Sequence, residues 1–193
     1  MKNKIKTGVV GVGHLGQHHT KHYTKIKSVE LVGVYDIDKA QAKKIAKEFK
    51  TKAFSSLDEM LDLVDGVSIV TPTSEHAKTA EICISRGKHV FIEKPITKTT
   101  KEADKIIALA KKNKVILLVG HIERFNPALA PLKDLRIKPK YIEVQRLAPY
   151  MIRGTDIPVV LDLMIHDIDL VLSFIDSPVK KIDASGLSIM TNS

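Results

Sequence analysis

The chain has 193 residues, 44% hydrophobic and 27% charged, proportions that suit a globular protein with a buried core and exclude a disordered or collagenous one. A formal net charge of +9 raises nucleic acid, a membrane surface or an anionic small molecule as partners. The lysines, however, are scattered through amphipathic segments, and aromatic residues reach only 5% with no Trp. No base-stacking platform is present, so the charge reads as solvated surface and nucleic acid is set aside.

No apolar run approaches the roughly 20 residues of a membrane helix. The basic start, Met1 to Lys6, leads straight into a strand-like run rather than the apolar region of a signal peptide. Cys83 is the single cysteine, which excludes an internal disulfide and fits a reducing cytoplasm. Its apolar setting reads as a small buried hydrophobe rather than a nucleophile.

In chain order, Lys6 to Val10 is a buried strand, followed by a glycine turn and a helix from about His14 to Lys25. Glu30 to Tyr35 is a second strand and Asp38 to Phe49 a helix with Ala and Ile at helical spacing. Val64 to Val70 is the third main strand, and Ser74 to Arg86 a helix that Gly87 ends. His89 to Ile92, the helix Lys101 to Asn113 and the strand Val115 to Val119 continue the alternation. Strands alternating with helices of this length predict an α/β fold with a doubly wound parallel sheet. Residues 1–120 are expected to form that domain.

After Gly120 the pattern changes, with prolines at 127, 131, 139, 149 and 158. Tyr141 to Leu147 alternates apolar and polar like a half-exposed strand, Val160 to Phe174 reads as a helix, and Lys181 to Met190 as one more strand. One helix and two strands cannot close a core alone. Residues 121–193 are therefore expected to be part of a second domain, incomplete or completed by another chain.

The sharpest local motif is Gly11-Val12-Gly13-His14-Leu15-Gly16, placed after a strand and at the start of a helix. Gly11 permits the tight turn, Gly13 lets the backbone approach a pyrophosphate, and Gly16 lets the helix pack on the strand. Asp36 follows about 20 residues later, where an acidic side chain meets the adenosine ribose hydroxyls. A carboxylate there repels a 2′-phosphate, so NAD is favoured, with NADP possible because Lys39 is near. An empty glycine turn with Asp36 capping the next helix is the plainer alternative, and the combination outweighs it.

Two further segments follow later strands. Thr71-Pro72-Thr73-Ser74 leads to His76, and Glu93-Lys94-Pro95 follows Ile92. Thr73 or Ser74 is expected to cap the next helix, and His76 fits an exposed helix position as well as a site. Lys94, between an apolar strand and a rigid proline, would face the nicotinamide end of the cleft. Farther on, Asp162 and His166 stand four residues apart on one helical face, where a carboxylate can orient an imidazole. Spacing alone favours a surface helix with a satisfied histidine. His18 and His22 share the same spacing, but no Cys or Glu supports a zinc site, so no metal is expected.

Together with Gly120-His121-Ile122-Glu123-Arg124-Phe125-Asn126-Pro127, these segments resemble the glucose–fructose oxidoreductase/inositol dehydrogenase (Gfo/Idh/MocA) family, in order and spacing, through nearly the whole chain. The resemblance implies a Rossmann domain followed by an α+β domain with a mostly antiparallel sheet. It also implies NAD(P)-dependent oxidation or reduction of a sugar, cyclitol or sugar-nucleotide carbon. Carried over, the cofactor would meet Gly11, Gly13, His14, Leu15, Gly16, Asp36, Thr71, Pro72, His76, Glu93 and Lys94. Lys94 would hydrogen-bond the reacting oxygen, His166 would be the general base, and Asp162 would align substrate and base, which reverses the weighting from spacing alone.

The Gly120 to Pro127 stretch looks most like members acting on nucleotide-linked amino sugars, such as UDP-N-acetylglucosamine 3-dehydrogenases. Arg124 and Asn126 would then lie near the substrate, although Arg124 serves equally well as a structural ion-pair residue. Family members run on through most of the antiparallel sheet, which usually forms the oligomer interface, so a homo-oligomer is implied. Because this chain reaches only the first strands of that sheet, a dinucleotide-binding protein without turnover is the alternative.

Overall fold

The computed structural model describes residues 4–134, 138–147 and 158–187, in two units, 1–120 and 121–193. In the first unit six parallel strands, β1 (Ile5–Val10), β2 (Val29–Tyr35), β3 (Lys52–Ala53), β4 (Gly66–Ile69), β5 (His89–Ile92) and β6 (Leu117–Val119), run in the order β3-β2-β1-β4-β5-β6. This is the Rossmann order, with the switch between β1 and β4. Register carries the carboxyl ends of these two strands side by side, Val10 opposite Ile69.

Parallel strands are buried on both faces, so their sequences read as continuous apolar runs. Val9 and Val10 are 0% and 2% exposed and point to opposite sides. Val9 joins Val12, Val34, Ala42, Ile45 and Ala46 in one core. Val10 joins Phe54, Met60, Val67, Ile69, Ile84, Ile92 and Ile106 in the other. The first core faces α1 (Gly16–Tyr23) and α2 (Lys39–Glu48), and the second faces α3 (Leu57–Leu61), α4 (Thr73–Ser85) and α5 (Thr100–Asn113). The Tyr23 hydroxyl, 2.7 Å from Ser68 Oγ, pins α1 to the middle of the sheet.

Two short elements lie outside the sequence expectation. β3 has two residues and α3 five, too few to show a period. Several helices begin as their sequences dictate. Asp38 Oδ1 accepts from Ala40 and Gln41 N–H, Ser56 accepts from Glu59 N–H, and Thr99 with Glu102 forms a capping box. The expected capping of α4 by Thr73 or Ser74 does not occur. The helix already begins at Thr73, its N-cap is Pro72, and no side chain caps it. α1 also lacks a side-chain cap.

In the second unit, two 3₁₀ turns, Ile122–Phe125 and Pro127–Leu129, lead into α6 (Ala130–Asp134). A π turn, Val160–Met164, opens into α7 (Ile165–Ser173). The expected strand over Tyr141 to Leu147 is not formed, and residues 181–187 are not a strand either; residues 188–190 of that expectation lie outside the described residues. Alternation marks a segment able to pair, but a strand exists only where a neighbour supplies the ladder. Among the described residues neither segment has one. The helix expected over Val160 to Phe174 is present, with its first turn widened to π geometry. Among the described residues, no helix is long and apolar enough to cross a membrane.

Candidate dinucleotide site

The site is built at the carboxyl ends of β1 and β4. Gly11 follows β1 with φ +83°, a left-handed conformation that suits glycine, and its N–H donates to the Tyr35 carbonyl at 2.8 Å. A Cβ on Gly11 would lie 2.7 Å from the Val70 carbonyl oxygen, so the turn passes tightly over the end of β4. A Cβ on Gly16 would lie 1.9 Å from the Gly11 carbonyl oxygen. Only glycine lets α1 start this close to β1. A Cβ on Gly13 would meet nothing within 4 Å. The middle of the turn is therefore open to something outside the protein.

Asp36 follows β2, and its Oδ2 accepts the Val12 N–H at 2.7 Å while Oδ1 accepts the Asp38 N–H at 2.9 Å. The carboxylate braces the glycine turn and keeps a lone pair on each oxygen for hydroxyl donors. Lys39 does not neutralise it. Its Nζ donates to the carbonyls of Asp36 and Ser55, at 3.3 and 2.6 Å, and lies 4.4 Å from the Tyr35 ring centroid.

This geometry fits a dinucleotide. α1 has no side-chain cap, so the positive end of its dipole faces the open turn. At β4, Thr71 Oγ1 is buried without a hydrogen-bond partner among the described residues, a cost that a ligand amide in the cleft would remove. His14 and Leu15 are exposed on the turn, Leu15 to 51%.

The two residues that precede and begin the next loop are bound into the protein. Glu93 is buried, and its Oε1 meets His19 Nε2 at 2.9 Å while Oε2 accepts the Lys94 N–H at 3.2 Å. Burial alone would raise its pKa, but the His19 hydrogen bond and charge, with the Lys94 N–H and charge, hold it below the ordinary 4.5. His76 is only 1% exposed. Its Nδ1 and Nε2 each lie 2.9 Å from a carbonyl oxygen, of Pro95 and Thr71 respectively. It is therefore not an exposed helix residue, and both ring nitrogens face backbone carbonyls.

Cys83 is fully buried, and burial pushes its thiol up to about 12, so it is no nucleophile. His18 and His22 are exposed. Among the described residues, no cluster of three or more His, Cys, Asp or Glu could hold a metal.

In the second unit, Arg124 grips Asp169 through two bonds, Nε to Oδ2 at 2.6 Å and Nη2 to Oδ1 at 2.5 Å. Arg146 grips Asp167 in the same way at 2.6 and 2.7 Å. These hydrogen bonds hold both carboxyls below the ordinary 3.8 despite desolvation. Arg124 thus makes the ion pair that the sequence allowed, while its side chain remains 49% exposed. Asn126 closes the second 3₁₀ turn, its Oδ1 accepting from Ala128 N–H at 3.0 Å. Asp162 sits in the π turn and His166 in α7, so a non-standard turn separates them. Such turns are frequent at functional sites.

Sequence reasoning missed His19. The available signal was Glu93 itself, a carboxylate directly after a buried strand, which needs a partner.

Comparison with known proteins agrees with the geometry. Residues 5–121 match the GFO_IDH_MocA family model, described as an oxidoreductase family with an NAD-binding Rossmann fold. The chain is 43% identical over 189 residues to UDP-N-acetylglucosamine 3-dehydrogenase of Acidithiobacillus ferrooxidans, covering 97% of this chain and 60% of that protein. The structure of that enzyme superposes with a TM-score of 0.92 over the same shares. The scyllo-inositol 2-dehydrogenase (NAD(+)) of Bacillus subtilis is 35% identical over 137 residues, covering 69% of this chain and 40% of that protein. GenD2 from gentamicin A biosynthesis, solved in complex with NAD, matches at 30% identity with a TM-score of 0.67, over 70% of this chain and 40% of its own.

Two outcomes test the site. Gly13→Ala should leave the melting temperature nearly unchanged yet weaken NADH binding at least tenfold, whereas Gly16→Ala should lower both; equal NADH affinity in Gly13→Ala contradicts the open turn. For Glu93, whose folded value is depressed, stability is present above pH 4.5 and lost as pH falls through the folded value. Urea denaturation should therefore show the wild-type advantage over Glu93→Gln shrinking on acidification below pH 4.5, and an advantage that grows there contradicts the assignment.

Proposed function

Because the chain belongs to the Gfo/Idh/MocA family of NAD-binding oxidoreductases, we propose that it serves reversible hydride transfer between nicotinamide and a secondary alcohol of a sugar nucleotide. The observation that carries this reading is the open, uncapped glycine turn braced by Asp36. The chain spans 60% of the length of the UDP-N-acetylglucosamine 3-dehydrogenase that it matches. The same substrate class, a nucleotide-linked amino sugar oxidised at a ring hydroxyl, is proposed here.

Gly11 to Gly16 would hold the pyrophosphate and Asp36 the adenosine ribose, with Thr71, Pro72 and Lys94 toward the nicotinamide. Asp36, not neutralised by Lys39, favours NAD over NADP. Bound NAD would supply the hydride acceptor. His166 takes the substrate hydroxyl proton as the carbonyl forms and returns it in the reverse direction. Lys94 donates a hydrogen bond to the reacting oxygen, and Asp162 aligns substrate and base. Glu93 and His76 support the loops rather than touch the cofactor, and Arg124 reaches substrate only through its exposed face. A homo-oligomer belongs to this reading: Met164, Ile168 and Leu172 are 41 to 46% exposed, apolar surface that a second copy would cover.

The test is an NADH fluorescence titration followed by NAD and UDP-N-acetylglucosamine. NADH should bind, and its formation on sugar addition should fall about 10²–10⁴-fold in Lys94→Ala and His166→Ala, with NADH affinity kept. Binding without turnover would favour a dinucleotide-binding protein, and no binding contradicts the assignment altogether.

A further inference from the structure

Lys94 lies between two residues that are each tied to a histidine. On one side, Glu93 Oε1 meets His19 Nε2 at 2.9 Å. On the other, the Pro95 carbonyl meets His76 Nδ1 at 2.9 Å. The histidines come from different parts of the cleft. His19 lies on α1, one turn beyond Gly16, and His76 lies on α4, with its second nitrogen on the Thr71 carbonyl at 2.9 Å. One imidazole thus joins the Lys94 loop to the phosphate turn, and the other joins it to the end of β4.

We propose that His19 and His76 are positioning residues that fix Lys94 relative to the dinucleotide cleft. This rests on the catalytic reading of Lys94 given above. Simple space-filling does not account for either ring. A buried imidazole costs free energy unless its polar atoms are satisfied, and an apolar side chain would fill the same volume without that cost. Here each nitrogen of His76 lies 2.9 Å from a backbone carbonyl, and whichever nitrogen carries the ring proton donates to its carbonyl; the two carbonyls belong to the two loops that flank the proposed nicotinamide end.

His19 acts on Lys94 through one intermediate. Glu93 is held by His19 and by the Lys94 N–H at 3.2 Å, and Gly120 leaves room for its carboxylate, where a Cβ would come within 3.2 Å. The His19 ring packs at 5.5 Å on Phe91, and the His19 and Glu93 side chains are only 19% and 12% exposed. The carboxylate therefore has little freedom to turn, and it fixes the N–H of the very residue whose ammonium must reach the substrate. Displacements near 1 Å at such a group can cost about 100-fold in rate, which gives this second layer of contacts its consequence.

The test reads Lys94 directly. Lysines are converted to ¹³C-dimethyl-lysine, and the Lys94 signal is assigned by its loss in Lys94→Arg. In cofactor-free chain, His19→Ala should shift or broaden that signal, while exposed Lys47 stays unmoved. His19→Gln, whose amide can donate to Glu93, should restore it. His76→Ala should also displace the signal. If that variant does not fold, His76→Gln and the two His19 variants decide the matter. A folded His19→Ala chain with Lys94 at its wild-type position overturns the proposal. Failure of wild-type chain to bind NADH would count against the proposed function alone, because the Lys94 signal is read without cofactor.

Discussion

The approach of Gly16 to the Gly11 carbonyl is the contact on which the first unit's chemistry depends. No side chain fits between them, since a Cβ would sit 1.9 Å from the oxygen. That closeness brings the start of α1 over the end of β1, next to β4, and leaves the turn open at Gly13. Asp36 then has a turn to brace, and its bond to the Val12 N–H at 2.7 Å couples the end of β2 to that turn.

Helix capping follows the same division. α2, α3 and α5 carry their own side-chain caps, from Asp38, Ser56 and Thr99. Within the first unit α1 and α4 have none, and these follow β1 and β4, the strands at the switch. A helix start without a side-chain cap is stabilised by an anion or a polar ligand that binds there. Several charged side chains are paired within the protein: Arg124 on Asp169, Arg146 on Asp167, His19 on Glu93. The family match to an NAD-binding Rossmann fold falls on the unit that holds the glycine turn.

The parallel sheet was legible because burial on both faces writes continuous apolar runs, and helices between them write a second period. The glycine turn and Asp36 were legible because their function depends on spacing along the chain. His19 and Glu93 are 74 residues apart, and no spacing rule joins them; the fold does so by bringing the His19 ring of α1 onto Phe91 of β5. His76 was legible as a residue of interest but not in its role, since only the structure shows both nitrogens on carbonyls. The alternation over Tyr141 to Leu147 gave a false strand because pattern records a capacity to pair, not the presence of a partner.

The central claim is that the open end of the glycine turn receives a dinucleotide. Backbone amide shifts in ¹⁵N-labelled chain, followed during NADH titration, test it most directly. The largest changes should fall at Gly13, His14 and Leu15 and around Asp36, with little at the surface groove between α4 and α5 lined by Lys78, Glu81 and Lys105. Changes confined to exposed lysines, with the glycine turn silent, would contradict it.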